Sequence, residues 1–273
     1  MEKIFVPVDY QTHTENILEY SVKLAEYWKA QIILFHSFSL PLISAETSYV
    51  HYPLEELYEE DLKELDKLSS KIKGLSDDKI SVQYISQPGF TASGILDESE
   101  KQKADLIIMS ASERTKLGEK TIGSNAVYVA RHSKIPVLLL PAKKEYQPIK
   151  KILLAIDPEH KFEKEKGDRI KEMRDELQAE IDIISIAEEK TGKTSELYIK
   201  EWLKNLEITK EKFHFLKSKN HKIYQLINEN SIFSNSDLLI LFPQKHSLFK
   251  EIFSENIIRE LAYHATIPVM TIN

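Results

Sequence analysis

Short apolar runs alternate with stretches of helical period along the whole chain. Ile4–Val8 is a continuous apolar run, and Leu18, Val22, Ala25 and Trp28 follow at spacings of four, three and three. That is the period of an amphipathic helix, and Thr12 with Glu15 three residues on fits a capping box at its start. The pattern predicts further strands at Gln31–Ser37, Ile80–Ser86, Leu106–Met109 and Val137–Leu140, with helices about Leu54–Ile72, Thr91–Gln102 and Asn125–His132. Beyond them come strands near Ile152–Ile156, Ile181–Ile186, Phe213–Leu216, Leu238–Leu241 and Val269–Ile272, again with helices between. Near-continuous apolar strands separated by helices belong to parallel sheets covered on both faces. Right-handed crossovers make such a sheet doubly wound.

The pattern also repeats. Lys3-Ile-Phe-Val-Pro-Val-Asp9 returns as Lys151-Ile-Leu-Leu-Ala-Ile-Asp157, and Asp105-Leu-Ile-Ile-Met109 as Asp237-Leu-Leu-Ile-Leu241. His132-Ser-Lys-Ile-Pro-Val137 returns as His264-Ala-Thr-Ile-Pro-Val269. The repeat unit has the size of a domain rather than of a solenoid element. The chain therefore reads as two tandem α/β domains, 1–142 and 150–273, joined by a polar, proline-bracketed linker at 143–149. The second copy is shortened somewhere between its first strand and Asp237.

Composition narrows the chemistry. The chain has no Cys, which removes disulfide scaffolds, thiolate metal sites and Cys nucleophiles. A formal charge of −6 without a long basic run argues against nucleic acid as a partner. No stretch approaches the roughly 18 apolar residues of a membrane span. The first apolar run is too short for a secretory signal, so a cytoplasmic location without membrane contact is expected. Only 7 Gly occur in 273 residues, so phosphate-cradling loops must be few.

Ligands of doubly wound sheets bind at the carboxyl ends of strands where the strand order reverses. In the first half the candidates are Asp9 after strand one and the loop Ser110–Ser124 after strand four. That loop enters the next helix through Gly123-Ser124. A helix start offers unpaired N–H groups and a positive dipole end, which suit a phosphate; a plain N-cap is the other reading.

These landmarks carry a resemblance. Val6-Pro-Val-Asp9, Asp105-Leu-Ile-Ile-Met109, Gly123-Ser124 and the terminal Ile-Pro-Val strands at 135–137 and 267–269 are similar to those of the universal stress protein family in its tandem, two-domain form. The resemblance implies two doubly wound parallel five-stranded sheets of order 3-2-1-4-5 flanked by helices. It implies a stress-response protein that is not an enzyme. ATP or a related adenine nucleotide, with Mg as a candidate companion, would be the ligand of the first half alone. Asp9 would lie near the ribose and adenine, and Ser37 would offer a backbone contact to adenine. The family's glycine motif falls on Ser110, Glu113, Gly123 and Ser124. Only its closing pair is present. Ser110 and Ser112 could donate hydrogen bonds to phosphates, and Arg114, Lys116 and Lys120 could supply charge. Glu113 works against them, because a carboxylate ~4 Å from a phosphate costs about 1 kcal/mol even in water. A structural or protein-interaction module without a nucleotide is the alternative, and a weak ATPase the third reading.

The second half is more degenerate. It keeps Asp157, but Glu255-Asn256 stand where the first half has Gly123-Ser124. Phe242, Phe249 and Phe253 suggest a crevice filled by protein. Ala187–Thr194 mimics a P-loop but lacks its first Gly. His132 and His264, just ahead of the last strand of each half, read as partners of a helix end. The 39–53 segment, with Tyr49, His51 and Tyr52, could cover the crevice or meet a partner. In the family the last strand pairs across a dimer. Here the two copies can pair with each other as an internal pseudo-dimer, and a homodimer of chains is a further candidate.

Overall fold

The computed structural model describes residues 1–10, 14–38, 54–111, 113–116, 119–122, 124–141, 144–156, 161, 163–187, 193–217, 235–243, 258–260 and 265–273. By internal contacts the chain forms two compact units, Met1–Ser110 and Ala111–Asn273.

The first unit runs β1 (Lys3–Pro7), α1 (Thr14–Trp28), β2 (Gln31–Phe38), α2 (Leu54–Leu75), β3 (Val82–Pro88), α3 (Thr91–Lys101) and β4 (Leu106–Ser110). Its strands are parallel in the order β3-β2-β1-β4. Ile4, Phe5 and Val6, Ile32 through Phe35, and Leu106 through Ile108 are completely buried, as strands covered on both faces must be. β3, at the edge, is only half-buried.

The second unit begins with a hairpin, β5 (Glu113–Lys116) and β6 (Glu119–Ile122). It continues through α4 (Ser124–His132), β7 (Val137–Leu140), β8 (Lys151–Ile156), α5 (Lys164–Leu177), β9 (Glu180–Ala187) and α6 (Lys193–Asn205). β10 (Phe213–Lys217), β11 (Leu238–Leu241) and β12 (Val269–Thr271) follow. The order β10-β9-β8-β11-β12 is the expected 3-2-1-4-5. In the first unit its leading four strands appear, the fifth strand of the first half, β7, being grouped with the second unit. There β7 pairs antiparallel with β12, Leu138 opposite Met270, so the apolar ends of the two repeats cover each other. Thr271 Oγ1 and Asn273 Nδ2 both donate to Ala130 O of α4, at 2.8 and 3.1 Å.

One feature departs from the sequence pattern, and another narrows it. The Ser110–Ser124 connection carries a β-hairpin, in keeping with the extended preference of Thr115, Thr121 and Ile122. The shortening of the repeat lies between its second and third strands. α2 is 22 residues long and α6 only 13.

The repeated Asp explains itself. Asp105 Oδ2 accepts from Glu2 N and Lys3 N at 2.6 and 2.9 Å, and Asp237 Oδ2 accepts from Lys150 N and Lys151 N, both at 2.9 Å. Their own amides donate to Lys3 O and Lys151 O. Each Asp thus clamps the start of its central strand. The capping-box residue Thr12 lies outside the described residues. Glu15 pairs with Lys71 of α2, which holds its carboxyl below the ordinary range through that hydrogen bond and charge.

Glycine scarcity leaves a mark on the backbone. α1 and α5 both end on a left-handed residue that is not Gly, Lys29 at φ 56° and Gln178 at φ 52°. The next residues, Ala30 and Ala179, donate back to Ala25 O and Arg174 O, a closure that ordinarily uses Gly. A side chain there costs roughly 1–2 kcal/mol, offset in part by the lower entropy of a non-glycine unfolded chain. Lys29→Gly and Gln178→Gly are each expected to stabilise the protein by about 0.5 kcal/mol, read as a higher urea midpoint. Asp105→Ala and Asp237→Ala are each expected to cost about 1 kcal/mol in the same measurement.

Candidate functional site

In the first unit β1 is flanked by β2 on one side and β4 on the other, so the strand order reverses between β1 and β4. Asp9, two residues beyond β1, is exposed, and Ser110, the last residue of β4, is half-buried. Ser37 near the end of β2 is buried, and its Oγ donates to Gly89 O at 3.0 Å. Gly89 has φ 137°, a conformation that a side chain would strain. Asp9, Ser37 and Ser110 therefore all lie at the carboxyl ends of their strands.

The other sequence candidates belong to the second unit. Arg114 lies in β5, opposite Thr121, and Thr115 lies opposite Lys120. Ser124 opens α4 and is exposed. Ser112 and Gly123 lie outside the described residues, as do Asp157, Phe249, Phe253, His264 and the 39–53 segment. The hairpin bears on the glycine-motif reading. Glu113–Lys116 pair in register with Glu119–Ile122, so the amides that face the partner strand are engaged in the ribbon rather than open to a phosphate.

A second constellation, absent from the sequence reading, ties the carboxyl ends of the first three strands together. Asp61 of α2 is 7% exposed. Its Oδ1 accepts from Tyr10 Oη at 2.7 Å and lies 2.6 Å from His36 Nδ1, while Ser86 Oγ donates to its Oδ2. A buried carboxylate is tolerable only with its lone pairs satisfied, and here three donors meet it. The rings of Tyr10 and His36 pack at 4.3 Å between centroids. Tyr10 sits at φ 57°, an outlying conformation for so bulky a residue. Burial, and then the hydrogen bond and charge of Asp61, push its phenol well above the usual tyrosine range, with Glu64 adding to the effect.

In the sequence of α2 the apolar stripe is Leu57, Leu62, Leu65 and Leu68, of which Leu65 is fully buried and the other three half-buried. The fully buried face shares Leu65 with that stripe and is completed by Asp61, Ser69 and Ile72. Its spacing is helical, but two of its four members are polar, so an apolar count passes over it. The readable trace was His36 at the polar end of an otherwise apolar strand.

The corresponding crevice of the second unit is built differently. Phe242, directly after β11, is buried, packs on Trp202 of α6 at 5.3 Å between centroids, and has Lys166 Nζ 5.8 Å from its ring centre. Of the three phenylalanines expected to fill this crevice, Phe242 lies within the described residues, and its burial agrees with that expectation. Ala187 ends β9 and Lys193 and Thr194 start α6, with 188–192 of the P-loop mimic outside the described residues. His132 Nδ1 donates to Tyr128 O at 2.8 Å in the last turn of α4, the helix-end role expected of it. Among the described residues no helix is long and apolar enough to cross a membrane.

Comparison with known proteins agrees with this architecture. The sequence model of the universal stress protein family matches residues 1–141. A universal stress protein of Methanocaldococcus jannaschii is 25% identical over 148 residues, covering 53% of this chain and 84% of that protein. The crystal structure of a universal stress protein from Archaeoglobus fulgidus superimposes with TM-score 0.72 at 16% identity, covering 99% of this chain and 98% of that one. A putative universal stress protein from Pseudomonas aeruginosa gives TM-score 0.66 at 13% identity over 100% of this chain and 93% of its own. At such identities the two structures speak for the fold alone. Together with a family match over more than half of the residues, they extend that fold across both repeats: the chain belongs to the universal stress protein family.

Proposed function

We propose that this chain is a non-catalytic regulatory protein of the stress response whose first half takes ATP or a related adenine nucleotide. The observation that carries the reading is the order reversal between β1 and β4, with Asp9 exposed just beyond β1 and Ser110 closing β4. A carboxylate and a hydroxyl at that point suit ribose hydroxyls and a base edge. The phosphates, and an accompanying Mg, would meet the closing pair of the family motif, Gly123-Ser124, with Ser110, Ser112 and Arg114 as further donors. Serine and glutamate stand at the motif's first two glycine positions, and Glu113–Lys116 are paired into a hairpin. The phosphates are therefore a minor share of the affinity, and the nucleoside end the major one. Those same features favour the second reading, a protein-interaction module that binds no nucleotide. A cytoplasmic location, action through protein partners and pairing of two chains complete the proposal.

Calorimetric titration tests it. Mg-ATP, AMP and adenosine are expected to give heat with affinities within about tenfold of one another. Asp9→Asn is expected to weaken all three by about tenfold, the loss of one charged hydrogen bond. Gly123→Asp is expected to weaken ATP while sparing adenosine. No heat from any of the three at millimolar concentration would sink the nucleotide reading in favour of the interaction module. A phosphate-release assay is expected to stay at the buffer rate; steady release abolished by Asp9→Asn would make the protein an ATPase instead.

A further inference from the structure

We infer that Tyr10, anchored on the buried carboxylate of Asp61, is a positioning residue that holds Asp9 in place at the crevice of the first unit. The inference rests on the nucleotide reading above. It assigns roles to two residues that no motif marks.

The argument begins with backbone strain. A left-handed φ on a bulky residue persists only where the surroundings impose it, and Tyr10 has φ 57° directly after Asp9. Three contacts impose it. The phenol donates to Asp61 Oδ1 at 2.7 Å and stands 3.3 Å from Asp61 O. The ring packs on His36 at 4.3 Å. Asp61 is itself fixed by Ser86 of β3 and His36 of β2, and Val8 N donates to Phe35 O, tying the strand end just before the turn to β2.

The direction the chain takes at residue 10 decides where the neighbouring Asp9 carboxylate stands. Strain of this kind clusters at ligand sites, where it is part of preorganisation. The groups facing the phenol are Asp61 and Glu64 from α2 and His36 from β2. Two carboxylates near the oxygen keep Tyr10 protonated, and so a donor, throughout the neutral range.

The test separates the turn from the ligand. Three variants are compared with the parent: Tyr10→Phe, which keeps the ring; Asp61→Asn, which keeps the shape; and Asp9→Asn. Without ligand, the backbone NMR coupling that reports φ at residue 10 is expected to show the left-handed value in the parent. It is expected to lose that value in Tyr10→Phe and Asp61→Asn, with β-strand amide signals retained. A left-handed residue 10 in both variants overturns the inference.

With Mg-ATP, Tyr10→Phe is expected to weaken binding about as much as Asp9→Asn, and the double variant no further, because both act through one carboxylate. Independent, multiplying losses overturn it. A parent silent to ATP, AMP and adenosine removes the nucleotide reading and this ligand role with it, while the coupling still tells whether Asp61 holds the turn.

A separate consequence concerns alkaline stability. The folded pKa of Tyr10 lies above its unfolded value of about 10. The stabilisation is complete below about pH 10 and is lost as pH climbs toward the folded value. Tyr10→Phe is expected to flatten this alkaline fall in unfolding measurements across that range, and an unchanged fall would contradict the hydrogen-bonded phenol.

Discussion

Everything in the first unit hangs on one buried strand that is paired on both sides. β1 is hydrogen-bonded to β2 and to β4 in parallel, and Ile4, Phe5 and Val6 are shut off from water on both faces. Parallel pairing forces the chain back over the sheet through a helix between successive strands. Pairing on both sides forces the order to reverse at β1. A crevice at the carboxyl ends follows from that reversal before any particular side chain is chosen. The second unit obeys the same constraint through β8, and the matched Asp105 and Asp237 clamps show how literally the local chemistry repeats.

What the two copies do with their crevices differs, and the difference is chemical. The first places Asp9 and Ser110 at the reversal and surrounds the neighbouring strand ends with a polar network centred on Asp61. The second places Phe242 after its fourth strand and packs it on Trp202. An aromatic pair of that kind contributes packing. One repeat has kept a polar crevice and the other has turned the same position into core.

The Asp61 network also shows how a helix can serve a strand end. A carboxylate with 7% exposure would be a liability if one donor were missing, since an unpaired buried charge costs more than its bonds return. Its three partners come from the turn after β1, from β2 and from β3. The arrangement therefore fixes three elements relative to α2 at once, and it holds a strained residue beside Asp9.

The sequence by itself determined the class of fold, the position of nearly every described strand and helix, and the repeat. Each of those rests on local periodicity and on matches between distant segments, which need no coordinates. It also marked Asp9, Ser37 and Ser110 as strand-end residues, because strand ends are where apolar runs stop. Tertiary structure alone decided the rest. Asp61 is polar on a buried helical face, so a search for apolar stripes settles on Leu57 and Leu62 and misses it. The left-handed turn at Tyr10 arises from contacts to residues 26 and 51 positions away in the chain, and nothing in its neighbours foretells it. The pairing of β7 with β12 and the hairpin β5–β6 depend likewise on which backbone meets which. Periodicity records how a segment faces water, whereas a polar network is a matter of which distant groups arrive at the same carboxylate.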